Sequence, residues 1–212
     1  MGTRHLTAVI RKKEPVIAQY GQWDGYPEGQ GTTVLDFLRK VTKNGGLKKF
    51  NERLDCVRFE TEEDEKEMQK FMESIGCADG WMNMDQAAKY HKKYPYRTHD
   101  NGADILNMVA NSKDKEIVLC NSMDFAADSL FCEWAYVIDL DKKVLEVYRG
   151  FNKRPLGKNQ RFATLEKHNY GDTSKLGSDY NYFPVRCIRK YKFSELPTKR
   201  AFIKELVGTR DE

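Results

Sequence analysis

The sequence predicts an α+β fold with a mainly antiparallel sheet, and three observations support that prediction. Two strand-like runs open the chain, "HLTAVI" at 5–10 and "VIAQY" at 16–20, with the polar turn "RKKEP" between them. A second hairpin comes late, in "CEWAYVIDLDKKVLEVYRGF", where side chains alternate in character on either side of "DLDKK". The segments between the hairpins have helical spacing, so helices are grouped together and do not alternate with strands.

The other elements are predicted from apolar spacing and boundary residues. In "TTVLDFLRKV" the apolar residues recur at helical spacing, Thr32 or Thr33 provides the N-cap, and "NGG" at 44–46 ends the helix. Thr61 precedes acidic residues and begins a second helix, which Gly76 ends. Further helices are predicted in "NGADILNMVANS" and "LPTKRAFIKELV", and further strands in "KEIVLCNS" and "YFPVRCIRKYKF".

We expect a single domain, 1–212, that contains a helical and highly charged insertion at 47–100. The chain has 212 residues, 40% of them hydrophobic, which suffices for one core. The charged stretch is interpreted as the solvated face of helices. The opening hairpin resembles that of the N-terminal-nucleophile hydrolases and implies a similar layered fold, but removal of Met1 would expose Gly2, which has no nucleophile.

Charge and cysteine content argue against several functional classes. A net charge of +4, from 36 basic and 32 acidic residues, gives no sign of specific nucleic-acid binding. No apolar run approaches about 18 residues, so no membrane span is expected. Five scattered cysteines predict free thiols in a cytoplasmic protein, and four distant histidines predict no metal site. No cofactor is expected.

The stretch "AQYGQWDGYPEGQG" at 18–31 is the strongest candidate for a binding site. Glycines at 21, 25, 29 and 31 either supply positive φ angles or let a ligand approach the backbone. The stretch then enters a helix N-terminus, where free N–H groups favour an anion. The alternative is a tight turn before a capped helix.

Side chains of this stretch are suited to a polar ligand. The amides of Gln19, Gln22 and Gln30 can both donate and accept hydrogen bonds. Trp23 and Tyr26 offer flat faces on which a base or a sugar can stack. Turn geometry alone gives no reason for these five residues.

Charged residues are predicted to join them from the first strand. The hairpin should place Arg4 and His5 beside Gln19–Gln22, at the far end of the second strand. Arg4 would bind a phosphate, and His5 with Asp24 would handle protons if the protein is an enzyme. The alternatives are that His5 hydrogen-bonds a turn carbonyl and that Asp24 caps its own backbone.

The second hairpin contributes two further candidates. Glu133 lies in an otherwise apolar strand, so its charge needs a partner, for which Arg149 or Arg4 is predicted. Cys132 could be a nucleophile, but no base can be assigned to it, and a buried inert thiol is the preferred interpretation.

The motifs "TRHLTAVI", "VIAQYGQWDGYPEGQG", "VLDFLR", "RTHDNGADIL" and "DSLFCEWAYVIDLDKKVLEVYRGF" resemble an uncharacterised group of proteins. That group is found in filamentous fungi, bacteria and their phages, and the resemblance spans most of residues 3–151. It transfers no catalytic role. Its occurrence in phages implies a counter-defence function, such as capture or degradation of a nucleotide signal.

Three functional hypotheses follow. The first is binding of a small, polar, anionic ligand, nucleotide-like ahead of a sugar acid, in a pocket formed by the N-terminal hairpin and the "QWDGYPEGQG" loop. The second is a hydrolase that acts on a phosphodiester, glycosidic or amide bond in the same pocket. The third is a non-enzymatic inhibitor that contacts a protein partner through residues 47–95.

Overall fold

The computed structural model describes residues 2–43, 45–77, 81–168 and 181–208, and it confirms the α+β fold. The strands are β1 (His5–Arg11), β2 (Glu14–Gly21), β3 (Val57–Phe59), β4 (Ile117–Leu119), β5 (Trp134–Asp139), β6 (Val144–Arg149) and β7 (Arg186–Lys192). The α-helices are α1 (Thr32–Val41), α2 (Gly46–Arg53), α3 (Glu62–Ser74), α4 (Met84–Lys93), α5 (Ile105–Asn111) and α6 (Lys199–Val207).

The main sheet has five strands in the order β2-β1-β5-β6-β7. Both predicted hairpins are present as neighbouring antiparallel pairs, β1 with β2 and β5 with β6. β1 and β5 are joined in parallel, so the two hairpins form one continuous sheet. β7 adds an antiparallel edge, which makes the sheet mainly antiparallel as predicted.

The two faces of the sheet are buried under different kinds of structure. On one face, Val9 and Tyr136 pack with side chains of α1, α5 and α6, such as Leu35 and Phe202. On the other face, Leu6 and neighbouring strand residues pack against irregular segments at 123–132 and 156–165. Because strand side chains alternate, His5 and Thr7 point to the helical face together with Val9.

The insertion contains a strand, β3, that the sequence did not predict. β3 interrupts the region predicted to be helical at 47–75 and pairs in parallel with β4, about sixty residues further along the chain. The helices on either side are present, and Thr61 forms the predicted N-cap of α3 within a complete capping box. Most of the described residues of the highly charged segment are therefore helical, in α2, α3 and α4.

The start of α1 differs from the prediction. A π-helical turn, Pro27–Gly31, runs directly into the helix, so Thr32 and Thr33 are not N-caps. Thr32 instead donates its hydroxyl to the carbonyl of Glu28 at 2.9 Å. α1 ends at Thr42, Gly45 has a left-handed φ of 74°, and Asn44 of the predicted "NGG" stop lies outside the described residues.

No helix in the described ranges has both the length and the apolar character that crossing a membrane requires.

Candidate functional site

The candidate site lies at one end of the main sheet, where the strand termini form a row. The strand register aligns Gly21, His5, Trp134, Arg149 and Arg186 across the five strands. Neighbouring strands are about 4.8 Å apart, so this row spans about 19 Å. We call it the strand-end edge. Every predicted site residue from the two hairpins lies on it or within a few residues of it.

The glycines that flank His5 permit close contact with its side chain. A Cβ atom on Gly21 would lie 2.0 Å from Cε1 of His5, and one on Gly25 would lie 2.8 Å from Cβ of His5. Neither glycine has a positive φ. The imidazole of His5 therefore lies against the backbone of Gly21, while Gly25 lies against the start of β1, and neither glycine has room for a methyl group.

Gly29 and Gly31 likewise permit close contact, with Asp24 and Tyr136 respectively. A Cβ atom on Gly29 would lie 2.3 Å from the carbonyl oxygen of Asp24, and one on Gly31 would lie 2.8 Å from the hydroxyl of Tyr136. The left-handed residue of the loop is Asp24, with a φ of 54°. Of the two roles predicted for these glycines, close approach is the one observed, and the approaching group is the protein itself.

The backbone N–H groups of the loop are already engaged. Those of Gly29 and Gly31 donate to the carbonyl of Tyr26 at 3.1 and 3.3 Å, and that of Gln30 donates to the carbonyl of Asp24 at 2.9 Å. The expectation of free N–H groups at this helix start is therefore wrong, because the π-helical turn satisfies them internally.

His5 is fully buried and neutral. Burial lowers the pKa of its imidazole to about 4, against a smaller opposing effect of the Asp24 carboxylate. Neither ring nitrogen has a hydrogen-bond partner among the described atoms, and the same holds for the hydroxyl of Thr7, two residues along. The alternative that His5 bonds a turn carbonyl is not what the structure shows.

Two of the predicted glutamines bind the protein's own backbone. The amide nitrogen of Gln19 donates to the carbonyls of Tyr20 at 2.7 Å and Thr98 at 3.2 Å. The side-chain oxygen of Gln30 accepts from the N–H of Ala103 at 2.8 Å. These bonds fasten the loop and β2 to the segment at 98–104.

The third glutamine is also paired within the protein. The side-chain oxygen of Gln22 accepts a hydrogen bond from the hydroxyl of Tyr20. The ring of Tyr20 packs edge-on against His99 and Phe125, so this pair is held from two sides. Gln22 is half-buried and keeps part of its amide at the surface.

Trp23, Asp24, Tyr26 and Glu28 are the exposed residues of the loop. The indole N–H of Trp23 donates to Asp100 at 3.2 Å, and one edge of its ring lies against Gly2. The hydroxyl of Tyr26 donates to Asp24 at 3.0 Å, which raises the pKa of the phenol. Both rings are thus oriented by a carboxylate while their faces remain accessible.

Arg4, Glu133 and Arg149 lie at the middle of the edge. The guanidinium of Arg4 stacks 4.6 Å from the centroid of the Phe131 ring, and that of Arg149 lies 5.8 Å from the Trp134 ring. The N–H of Glu133 donates to the carbonyl of Arg4 at 3.2 Å. Burial raises the pKa of the Glu133 carboxyl, and a backbone hydrogen bond from Arg4 together with its charge opposes that shift. The expectation that Arg149 or Arg4 is the charge partner of Glu133 stays a prediction.

Exposed aromatic side chains are concentrated at this edge. The described chain exposes six large hydrophobic side chains, and four of them adjoin the strand-end edge. We call these four the aromatic rim: Trp23 (53% exposed), Tyr26 (36%), Phe131 (42%) and Phe151 (49%). Phe131 and Phe151 were not predicted as site residues, although each lies within three residues of a strand terminus.

Residues 98–104 form the main part of the site that sequence reasoning missed. They supply the carbonyls of Thr98 and His99, the carboxylate of Asp100 and the N–H of Ala103 to the loop. The contacts join residues more than seventy positions apart, so no local pattern could reveal them. The dipeptide "NG" at 101–102 is typical of a turn, but it does not show which segment of the chain that turn contacts.

The cavities in the described part of the chain include three of about 790, 380 and 200 Å³. None of the predicted site residues lines any of them. The largest lies between α3, β3 and residues 93–97 and is lined by both acidic and basic side chains. The predicted residues lie at a surface edge with a packed loop beside it, and the ligand pocket that the sequence suggested stays a prediction.

A buried charge cluster on the opposite face of the sheet was not predicted either. Glu146 is buried, which by itself would raise its pKa, but three hydrogen-bond donors lower the pKa to about 2. These donors are Tyr148 at 2.7 Å, Arg161 at 2.8 Å and Lys190 at 2.8 Å. Arg161 also pairs with the buried Asp139. The cluster joins β5, β6 and β7 to the segment that covers them.

Comparisons with protein-family models, with curated proteins and with solved structures found no match for this chain. The resemblance to the fungal, bacterial and phage group, and to the layering of N-terminal-nucleophile hydrolases, stays a prediction. Among the described residues, no group of three or more histidine, cysteine or acidic side chains is arranged to hold a metal ion. The strand-end edge is therefore the feature from which we infer a function.

Proposed function

We propose that the protein binds a small anionic, nucleotide-like ligand at the strand-end edge, with the base stacked on the aromatic rim. The observation that carries this proposal is the grouping of exposed aromatic faces with arginines at one end of the sheet. Stacking on an aromatic side chain is worth about 1–3 kcal/mol per base. Arginine beside such a ring supplies a planar donor suited to phosphate oxygens.

The roles of the predicted residues are divided accordingly. Trp23 and Tyr26 stack the base, and Gln22 hydrogen-bonds it at the exposed side of its amide. Arg4 and Arg149 attract the phosphate. Gln19 and Gln30 act indirectly, because their amides fasten the loop that carries Trp23 to residues 98–104.

Titration of intrinsic fluorescence with AMP, ADP and ATP tests this function, with inorganic phosphate and glucuronate as comparisons. Trp23 stands at the site, so we expect nucleotides to quench its emission and to raise the melting temperature. Trp23→Ala should weaken binding about 5- to 100-fold, the loss of one stacked base.

The matched control is Trp81→Ala, because Trp81 is 91% exposed and lies in the insertion. This variant should bind like the unaltered protein. The proposal fails if no nucleotide changes the fluorescence or the melting temperature, or if both tryptophan variants lose affinity equally.

The hydrolase hypothesis requires His5 to reach a bond of the ligand. In the structure its ring is fully buried and lies against Gly21, and nothing seen in the described residues favours turnover over binding. Chromatography of the nucleotide after incubation separates the two hypotheses, since a binding protein returns the ligand intact. A counter-defence role, implied by the resemblance to phage proteins, would be served by sequestration alone.

One observation favours the protein-binding hypothesis as a second candidate. Trp81 and Met84, at 91% and 90% exposure, stand together at the start of α4 in the charged insertion. Exposed apolar side chains rimmed by charge are typical of protein interfaces. A pull-down with the Trp81→Ser, Met84→Ser double variant tests it: loss of a partner, with nucleotide binding intact, would support this second function.

A further inference from the structure

The strand-end edge offers more than one stacking position, and these positions are connected by contacts. At the β2 side, the ring of Trp23 lies against Gly2. At the middle, Phe131 carries the guanidinium of Arg4 at 4.6 Å. At the β6 side, Phe151 packs edge-on with Tyr182, with ring centroids 6.4 Å apart. Each position has an exposed aromatic face, so the edge is a series of platforms.

The separation of the platforms exceeds what a single base can cover. Trp23 follows the end of β2 and Phe151 follows the end of β6, and three strand spacings separate those strands in the sheet order. At about 4.8 Å each, these spacings amount to about 14 Å. One stacked nucleotide occupies about 3.4 Å along its strand. Because about 14 Å corresponds to about four stacked steps, a ligand that uses both outer platforms must carry two bases that are splayed apart on an extended backbone and not stacked on each other.

Charge along the edge is distributed unevenly. At the Trp23 end, the exposed carboxylates are those of Asp24, Glu28 and Asp100, and the ionisable side chains of Tyr26 and His99 lie beside them. At the Phe151 end, the sequence "RGFNKRPLGK" from 149 to 158 holds four basic residues and no acidic one. Of these, Lys153 lies 4.2 Å from the centroid of the Tyr182 ring.

This distribution matches the chemistry of nucleotides. Carboxylates accept hydrogen bonds from the exocyclic amino groups of bases. Basic side chains attract phosphates. The Trp23 end therefore suits a base that carries an amino group, and the Phe151 end suits a base flanked by phosphate.

We infer that the ligand of this edge consists of at least two linked nucleotide units, one base on Trp23 and one on Phe151, with phosphate at residues 149–158. This inference rests on the function proposed above and specifies its ligand class. A free dinucleotide and the end of a longer single strand share this chemistry, and the test below distinguishes them.

The test compares AMP, the linear dinucleotide pApA and a hexanucleotide of adenosine in equilibrium binding to the full chain. We expect pApA to bind at least about tenfold more tightly than AMP, because a second base is stacked. Its affinity should also fall more steeply with salt, by about 0.7 in the logarithmic slope per added phosphate. A hexanucleotide no tighter than pApA identifies a free dinucleotide, and a tighter one identifies a strand.

Variants at the two platforms assign the bases. Trp23→Ala should weaken both AMP and pApA, whereas Phe151→Ala should weaken pApA alone and bring it close to AMP. Lys153→Ala replaces Phe151→Ala if that variant lowers the melting temperature, and Trp81→Ala is the matched control. Equal affinity for AMP and pApA overturns this inference but not the proposed function. The same conclusion follows if pApA still binds more tightly than AMP in both Phe151→Ala and Lys153→Ala. Absence of binding by any nucleotide overturns the proposed function itself.

Discussion

At the scale of single residues, Gly21 is the position where the structure leaves least freedom. The three atoms nearest to a Cβ at this position all belong to the imidazole of His5, at 2.0, 2.5 and 2.8 Å. That ring is fully buried, and the Cβ atom that carries it lies close to Gly25, so it cannot move aside cheaply. A single methyl group is therefore enough to disturb the junction of β1, β2 and the loop.

We predict that Gly21→Ala lowers the free energy of unfolding by about 3 kcal/mol, the upper range for an overpacked site. Gly157→Ala is the matched control, because a Cβ there meets nothing within 4 Å, and it should change stability by less than about 0.5 kcal/mol. Chemical denaturation measures both. Combining Gly21→Ala with His5→Ala should cost less than the sum of the single variants. Strict additivity would show that the clash is not with the imidazole.

His5 also predicts a pH dependence of stability. Its pKa is about 4 in the folded protein, below the value of 6.5 for an unburied histidine. As the pH falls below 6.5, His5 becomes protonated in the unfolded chain, whereas in the folded protein it stays neutral until about pH 4. Stability should therefore be complete above pH 6.5 and decline by about 1.4 kcal/mol per pH unit, to a total loss of about 3 kcal/mol near pH 4.

Denaturation midpoints between pH 7 and 4.5 check this prediction. The other three histidines are exposed, so His5 should dominate that window. His5→Gln should flatten the profile, whatever its effect on absolute stability. A profile with the same slope in this variant would place the titrating group elsewhere.

At the scale of elements, the charge cluster around Glu146 explains how β6 tolerates a buried carboxylate. Arg161 bridges Glu146 and Asp139, both of which are almost entirely buried. Removing one partner of such a cluster leaves charge in a medium of low polarity, which is costlier than replacing the whole cluster.

We predict that Arg161→Met lowers the free energy of unfolding by about 3 kcal/mol, because two carboxylates lose their shared partner. Lys142→Ala is the control: Lys142 pairs with the same Asp139 at 3.6 Å, but its side chain is 66% exposed. The control should cost less than about 1 kcal/mol, as surface ion pairs do. A similar cost for both variants would mean that burial does not set the strength of these pairs.

The elements differ in how far the sequence could predict them. The hairpins β1–β2 and β5–β6 were predicted because alternation and a polar turn are both local signals, and the observed pairing of His5 with Gly21 follows from the same register. β3 was missed because it has three residues, sits within a charged run and pairs with a strand far along the chain. β3 is a strand because it pairs with β4.

The residues of the candidate site also differ in how far local sequence patterns could predict their positions and contacts. Arg4, His5 and the loop were assigned to one end of the sheet from hairpin geometry, and the structure places them there. The internal use of Gln19 and Gln30 depends on residues 98–104, whose position is fixed by tertiary packing. The sequence shows that the amides of Gln19 and Gln30 need hydrogen-bond partners. It does not show that the protein's own backbone provides them.

At the scale of the whole molecule, one apolar cluster connects the insertion to the main sheet. It includes Phe50 and Leu54 from the start of the insertion, Ile117 from β4 and Trp134 from β5. Because this cluster is continuous, neither part buries its apolar surface without the other. The expectation of a single domain is consistent with it, and cooperativity is the measurable consequence.

We predict one unfolding transition. In a Trp23→Phe, Trp81→Phe variant, the remaining indole is that of Trp134, which is buried in the sheet. Its fluorescence and the far-ultraviolet circular dichroism, to which the helices of the insertion contribute, should then change at the same denaturant concentration. Two separated midpoints would show that residues 47–100 unfold as an independent unit.

The packing of the "QWDGYPEGQG" loop also bears on how this region tolerates variation. Glycine is needed at 21, 25, 29 and 31 because a Cβ atom there would clash with neighbouring atoms. A left-handed backbone is not the reason, since none of these four positions has one. Asp24 is the reverse case, since its φ of 54° suits asparagine or glycine and its side chain is exposed. A library randomised over residues 21–31 and selected only for folding should thus return the four glycines almost unchanged, while Asp24 drifts to asparagine or glycine. Retention of aspartate at 24 only under selection for activity would assign its carboxylate to the ligand.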